Sequence, residues 1–187
     1  MTILTFIRHG EAASAWGGHA DPGLSEKGQA QAQAVAQVLN KLSPQPIRTS
    51  PLQRCQETAV PLAALWGQTP IITPEVAELP SLGLPLDQRA AWLQNLMKGN
   101  WSDGEPEIQA WKQSVIDYVC ALEREGDQIV FSHFIAINVL AGHALGTDAV
   151  ICFKPDNCSV TSFDLTDGTL TLLSQGGEAE TEIQLGN

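Results

Sequence analysis

Arg8, His9, Arg54 and His133 carry the side chains in this chain that suit phosphoryl chemistry. An imidazole nitrogen can attack phosphorus and hold the phosphoryl group covalently. Guanidinium forks match phosphate oxygens two at a time. A second imidazole can donate to the same oxygens, and a carboxylic acid can protonate the leaving oxygen. Phosphoryl transfer needs little beyond such positioning and charge stabilisation. Arg8 and His9 end an apolar run, Ile3-Leu4-Thr5-Phe6-Ile7, and Gly10 follows them. His133 ends a second apolar run, Ile129-Val130-Phe131-Ser132. Arg54 lies one turn into a helix that follows Ser50-Pro51.

The elements that must bring these residues together follow from periodicity. Residues 2–7 read as a buried parallel strand. The glycine- and proline-rich stretch 8–24 is a loop, and Ser25 caps the next helix. That helix runs to about Leu42, with Ala30, Ala34, Val35, Val38, Leu39 and Leu42 on one face. Pro44 and Pro46 stop it. Ile47 to Ser50 form a second strand, and Ser50 and Pro51 start a helix carrying Leu52, Cys55, Ala59, Leu62, Ala63 and Trp66, with a kink expected at Pro61. Ile71-Ile72-Thr73 is a candidate third strand. Residues 107–124 form a helix with Ile108, Trp111, Val115, Tyr118, Val119 and Leu122 inward. The strand 128–131 and a helix from Ile135 to Leu145 follow. Two alternating strands flank Asp167-Gly168, a hairpin signal. Between them, residues 74–106 are broken by prolines and glycines and read as a lid or insertion containing a helix from Asp87 to Met97. Trp92 and Trp101 are candidates to line a pocket there. The expected fold is an α/β, three-layer α/β/α sandwich with a mostly parallel central sheet and an antiparallel edge hairpin. It forms one domain over 1–175, with an acidic tail at 176–187. In such sheets ligands sit at the carboxyl ends of the strands, where His9 and His133 are expected.

Composition narrows the partners. Net charge is −11, so a nucleic-acid or anionic-membrane surface, which needs clustered Lys and Arg, is excluded as the main function. A small anionic substrate is not, because two arginines in a cleft outweigh distant acids. No apolar stretch approaches the roughly 20 residues of a membrane helix. Cys55, Cys120, Cys152 and Cys158 form no CxxC pair. They read as small core residues of a protein in a reducing, cytoplasmic setting.

Longer motifs surround the four residues. Arg8-His9-Gly10-Glu11 resembles the RHG motif of the histidine phosphatase superfamily, the phosphoglycerate-mutase-like proteins. Asp21-Pro22-Gly23-Leu24-Ser25-Glu26-Lys27-Gly28-Gln29-Ala30 is similar to that family's D-x-x-L-(S/T)-x-x-G-x-x-Q-A stretch. Ser50 to Ala59 resembles its S-x-L-x-R-x-x-x-T-A helix start, and Val130 to His133 its late strand and second histidine. The four segments occur in family order. The resemblance implies that His9 is phosphorylated, that Arg8 and Arg54 clamp the phosphate, and that His133 completes the pocket. It implies an acid after the third strand. Glu78, in Val76-Ala77-Glu78-Leu79, fits best, with Glu75 as rival. It implies neither metal nor cofactor.

The surrounding shell departs from the family pattern. The run Ala12-Ala13-Ser14-Ala15-Trp16-Gly17 lacks the usual asparagine, and His19 stands where many members have arginine. Ser14 and His19 are therefore secondary candidates. Fewer cations favour a phosphatase acting on a small phosphorylated metabolite over a mutase, which must reorient a doubly phosphorylated intermediate. A non-catalytic phosphate-ligand protein on the same fold, and a phosphatase of protein phosphohistidine, are the other readings. Arg54 has the plainer alternative of a surface arginine paired with Glu57 or Asp21.

Overall fold

The computed structural model describes residues 1–14 and 19–178. Among these residues six strands form one sheet: β1 (Thr2–Arg8), β2 (Ile47–Thr49), β3 (Ile71–Ile72), β4 (Gln128–Ser132), β5 (Val160–Thr166) and β6 (Thr169–Ser174). Their order across the sheet is β3-β2-β4-β1-β5-β6. The first four run parallel, whereas β5 is antiparallel to β1 and β6 to β5. The mostly parallel α/β sandwich with an edge hairpin is thus the observed fold.

Among the described residues, five α-helices accompany the sheet: α1 (Glu26–Leu39), α2 (Gln53–Trp66), α3 (Leu86–Leu96), α4 (Pro106–Ala121) and α5 (Phe134–Leu145). Side chains alternate across a strand, and the alternation separates two cores. Ile7, Ile129 and Phe131 join Val35, Ala36, Leu39, Cys55, Ala59 and Leu62 of α1 and α2. Leu4, Phe6 and Val130 face the other way, with Ile108, Val115, Val119, Ile135 and Val139 of α4 and α5. The helices therefore lie in layers on both faces of the sheet.

Parallel pairing sets the level of the strand ends. Arg8 sits opposite Ser132, and Thr49 opposite Phe131. The residues that follow, His9, His133 and Ser50, leave the sheet at the same edge. Because β4 inserts between β2 and β1, strands far apart in sequence become neighbours.

Several local expectations change. Helix α1 ends at Leu39 and turns toward the sheet the stripe Gly28, Ala32, Val35, Ala36 and Leu39. Val38 and Leu42 are exposed, as are Ala30 and Ala34. Small residues let the helix approach closely, and that contact outweighs the larger apolar side chains. Ser50 does not cap α2, whose first residue is Gln53. The Gln53 N–H is instead taken by Asp21 Oδ1 at 2.9 Å. Segment 74–106 is anchored in the core by Val76, Leu79, Leu93 and Trp101, while most of 80–92 is exposed or half-buried. Trp101 is thus core, not pocket lining. Trp92 borders a concavity of about 220 Å³ with Leu96, Asn100 and Asp103, and none of the four phosphoryl-chemistry candidates lines it. Of the tail, the Gly177 carbonyl accepts from Asp156 N–H at 2.9 Å, so 177 is tied to the body. Residues 179–187 lie outside the described part, as does 15–18, which contains Trp16.

Candidate active site

His9 leaves β1 with its ring fixed on both sides. Nδ1 lies 2.7 Å from the Gly10 carbonyl. A carbonyl only accepts, so Nδ1 carries the proton. Arg54 Nε–H donates to His9 Nε2 at 3.2 Å. A guanidinium only donates, so Nε2 presents its lone pair. Burial, then the neighbouring Arg54 and Arg8 charges, hold the His9 pKa well below its usual value. In this arrangement the ring is the neutral Nδ1–H imidazole, with its Nε2 electron pair turned to Arg54.

His133 follows β4 and is fully buried. Its ring centroid is 5.2 Å from that of His9, at 62°. His133 Nε2 lies 2.7 Å from Ser50 Oγ and 3.3 Å from Cys55 Sγ. Burial, followed by Arg54, also lowers its pKa well below normal. Ser50, at the expected helix start, thus packs its hydroxyl against this imidazole.

The two arginines reach the same place from different elements. Arg54, buried in the first turn of α2, has Asp21 Oδ1 3.8 Å from Nη1. The surface-pair alternative is therefore incomplete: Arg54 is near Asp21, but it is buried and bonded to His9. Arg8 Nη1 donates to the Pro155 carbonyl at 2.8 Å, and its guanidinium lies 5.1 Å from the Phe134 ring centre. Its Nε is buried without a hydrogen-bond partner among the described residues. An orphaned guanidinium N–H is costly, and an oxyanion would satisfy it.

Glu78 follows the 3₁₀ turn Pro74–Val76 and is half-buried. Its Oε1 accepts the Leu79 N–H at 3.0 Å. Burial raises its pKa above the usual carboxyl range, against the opposing pull of that N–H and of Arg54 and Arg8. Glu75 is exposed on the turn itself. Glu78 is thus the carboxyl that feels both arginines. His19 is exposed and its Nδ1 accepts from Asp21 N–H at 3.1 Å. Neither His19 nor Ser14 bonds to His9, Arg8, Arg54 or His133 among the described residues.

The long motif at 21–30 supports this group from outside, through Asp21 beside Arg54 and through contacts to Glu11. Glu11 accepts from Ser25 Oγ at 2.8 Å and from Lys27 Nζ at 2.9 Å. A Cβ on Gly28 would stand 2.1 Å from the Glu11 carbonyl, so only glycine permits this approach. Asn157 was missed by sequence reading. Its Nδ2 donates to the His9 carbonyl at 2.9 Å. It lies in the loop before β5, and only the pairing of β5 with β1 brings that loop here. Among the described residues no cluster of His, Cys, Asp and Glu suits a metal ion, and no helix is long and apolar enough to cross a membrane.

Two imidazoles at the ends of parallel strands, with the Arg8 and Arg54 guanidiniums beside them and a carboxyl whose pKa burial raises, form a group of side chains on this α/β sandwich that suits phosphoryl chemistry. The sequence profile of the Histidine phosphatase superfamily (branch 1) matches residues 4–176, and the chain belongs to that family. A curated relative in Erwinia tasmaniensis, named probable phosphoglycerate mutase, is 27% identical over 185 residues, covering 88% of this chain and 85% of its own. Solved structures share the fold. The alpha-ribazole phosphatase of Shigella flexneri superposes with a TM-score of 0.75 at 23% identity, covering 96% of this chain and 99% of that one. A mycobacterial glucosyl-3-phosphoglycerate phosphatase gives 0.76 at 23% identity, covering 96% and 100%.

Proposed function

We propose that this protein is a phosphatase that hydrolyses a small phosphomonoester through a phosphohistidine on His9. The observation that carries this reading is the placement of the His9 ring, with Nδ1 2.7 Å from the Gly10 carbonyl and Nε2 accepting from Arg54 Nε–H at 3.2 Å. In the first step Nε2 attacks phosphorus and the P–O bond to the leaving group breaks. Glu78 gives its proton to the departing alkoxide. Arg54 Nε–H passes from the imidazole to a phosphoryl oxygen, and Arg8 Nε–H finds an oxyanion partner. His133 donates to the same group. In the second step water attacks phosphorus, the P–N bond breaks, and the Glu78 carboxylate takes the water proton. Phosphate leaves and His9 regains its lone pair.

Replacing His9 by Ala is expected to abolish p-nitrophenyl phosphate hydrolysis while the circular dichroism spectrum and melting curve stay near those of the wild type. A variant that turns over at the wild-type rate rejects the mechanism. Acid-labile, base-stable phosphate trapped on the wild-type chain would support it.

The curated relatives' name favours a second reading, phosphoryl transfer within a phosphoglycerate. Such a mutase needs further cations for its second phosphate. Here Lys27 is engaged by Glu11, and Arg48 is bound to Glu125, Tyr118 and Gln128. With Lys27 engaged and His19 standing where many members have arginine, the surroundings of His9 support hydrolysis. Assay of 3-phosphoglycerate with and without a bisphosphorylated primer separates the two. Stoichiometric binding of a phosphate ester with no phosphohistidine would instead support the non-catalytic reading.

A further inference from the structure

The backbone of His9 and Gly10 is tied to three separate parts of the chain. Its N–H donates to the Ser132 carbonyl of β4 at 3.0 Å. Its carbonyl accepts from Asn157 at 2.9 Å. The next N–H, that of Gly10, donates to Thr58 Oγ1 of α2 at 3.0 Å. Thr58 is fully buried, so solvent has no access to this bond.

Thr58 then passes its own proton on. Its hydroxyl donates to the Arg54 carbonyl at 2.6 Å. A threonine bonding back to the carbonyl four residues earlier is ordinary in helices and says nothing by itself. The bond from Gly10, 48 residues away in sequence, is what sets this one apart. It closes a ring. From the His9 imidazole the ring runs through the Gly10 backbone, the Thr58 hydroxyl and the Arg54 backbone, and the Arg54 side chain returns to His9 Nε2. The direction of every bond is fixed, because carbonyls only accept and guanidinium and amide N–H groups only donate.

We propose that Thr58 is a positioning residue for the nucleophile. It locks Gly10, whose carbonyl selects the Nδ1–H form of His9, to the same helix turn that carries Arg54. One hydroxyl thereby sets both the tautomer of the attacking ring and its spacing from the phosphate clamp. This rests on the reading of His9 as nucleophile.

The test compares Thr58→Val, which removes the hydroxyl at nearly constant shape, with Thr58→Ser, which keeps it. With p-nitrophenyl phosphate, Thr58→Val is expected to lower kcat about 10- to 100-fold with KM changed less than about twofold, the signature of a misplaced reacting group rather than lost binding. Thr58→Ser is expected to restore kcat to within about threefold of the wild type. Histidine ¹⁵N NMR reads the tautomer directly. His9 should be Nδ1–H in the wild type and in Thr58→Ser, and a mixture of both tautomers in Thr58→Val. The proposal is overturned if Thr58→Val keeps both kcat and the pure tautomer. It is also overturned if Thr58→Ser falls as far as Thr58→Val, which would assign the effect to packing of the methyl group. Should Thr58→Val not fold, Thr58→Ala supplies the hydroxyl deletion, and a mixed tautomer in Thr58→Ser is alone enough to reject the idea. A wild-type protein without turnover would remove the phosphatase reading, while the NMR comparison would still decide the role of Thr58.

Discussion

Arg48 and Arg54 are almost equally buried, at 8% and 6% exposure, yet their surroundings differ in kind. Arg48 Nε donates to Gln128, Nη1 to Tyr118 and Nη2 to Glu125. Each of its three nitrogens faces an oxygen within the protein. Arg54 instead spends its Nε on an imidazole and keeps Asp21 at 3.8 Å, while Arg8 leaves its Nε unpartnered among the described residues. Arg48 is finished as a folding element. Arg8 and Arg54 are left with donor capacity that an oxyanion would complete. Burial alone does not separate these arginines; what separates them is that every Arg48 nitrogen has an oxygen partner in the protein and the Arg8 Nε has none among the described residues.

Breaking the unsaturated side should cost activity first. Arg54→Gln is expected to lower kcat/KM for p-nitrophenyl phosphate about 10²- to 10³-fold, the usual loss for one donor to a developing oxyanion. Its denaturation midpoint should barely move, because Asp21 is partly exposed and stays solvated. A comparable loss of stability would place Arg54 with Arg48.

The acid comes next. Glu78→Gln is expected to slow hydrolysis of an alkyl phosphate about 100-fold, while Glu75→Gln leaves it within about twofold of the wild type. Burial raises the Glu78 pKa, so the proton persists above the usual carboxyl range and is lost as pH rises through the raised value. The wild-type kcat for an alkyl ester should therefore fall on the alkaline side, and this limb should vanish in Glu78→Gln. An unchanged pH profile in that variant would remove Glu78 from the role.

The smallest catalytic effect belongs to the saturated arginine. Arg48→Met should destabilise the fold by about 2 kcal/mol, since it deletes hydrogen bonds to Gln128 and Tyr118 in the interior. The kcat/KM of the folded fraction should stay near the wild-type value. Urea unfolding and steady-state kinetics on the same preparation read both numbers.

Legibility in the sequence followed how locally each feature is encoded. The ends of β1 and β4 were readable because an apolar run stops at a charged or imidazole-bearing residue. The motif from Ser50 to Ala59 was readable as a helix start with Arg54 in its first turn. The same stretch misled about Ser50, whose hydroxyl satisfies His133 while Asp21, from a distant loop, serves the helix end. The inward stripe of α1 was misread because glycine and alanine add little hydrophobicity but allow close approach. Segment 74–106 resisted reading because its anchors, Leu79, Leu93 and Trp101, have no common period.

Residue types and their order thus determined which groups were available: two imidazoles, two guanidiniums, an acid among two glutamates, and strands short and apolar enough for an α/β sheet. Strand order decided the rest. Inserting β4 beside β1 placed His133 next to His9, and pairing β5 with β1 carried Asn157 to the His9 carbonyl. The contact of Arg54 with the His9 ring, and the three side-chain partners that set Arg48 apart from it, come from residues more than forty positions away. No local pattern encodes such contacts, because they arise only when the layers close around the sheet.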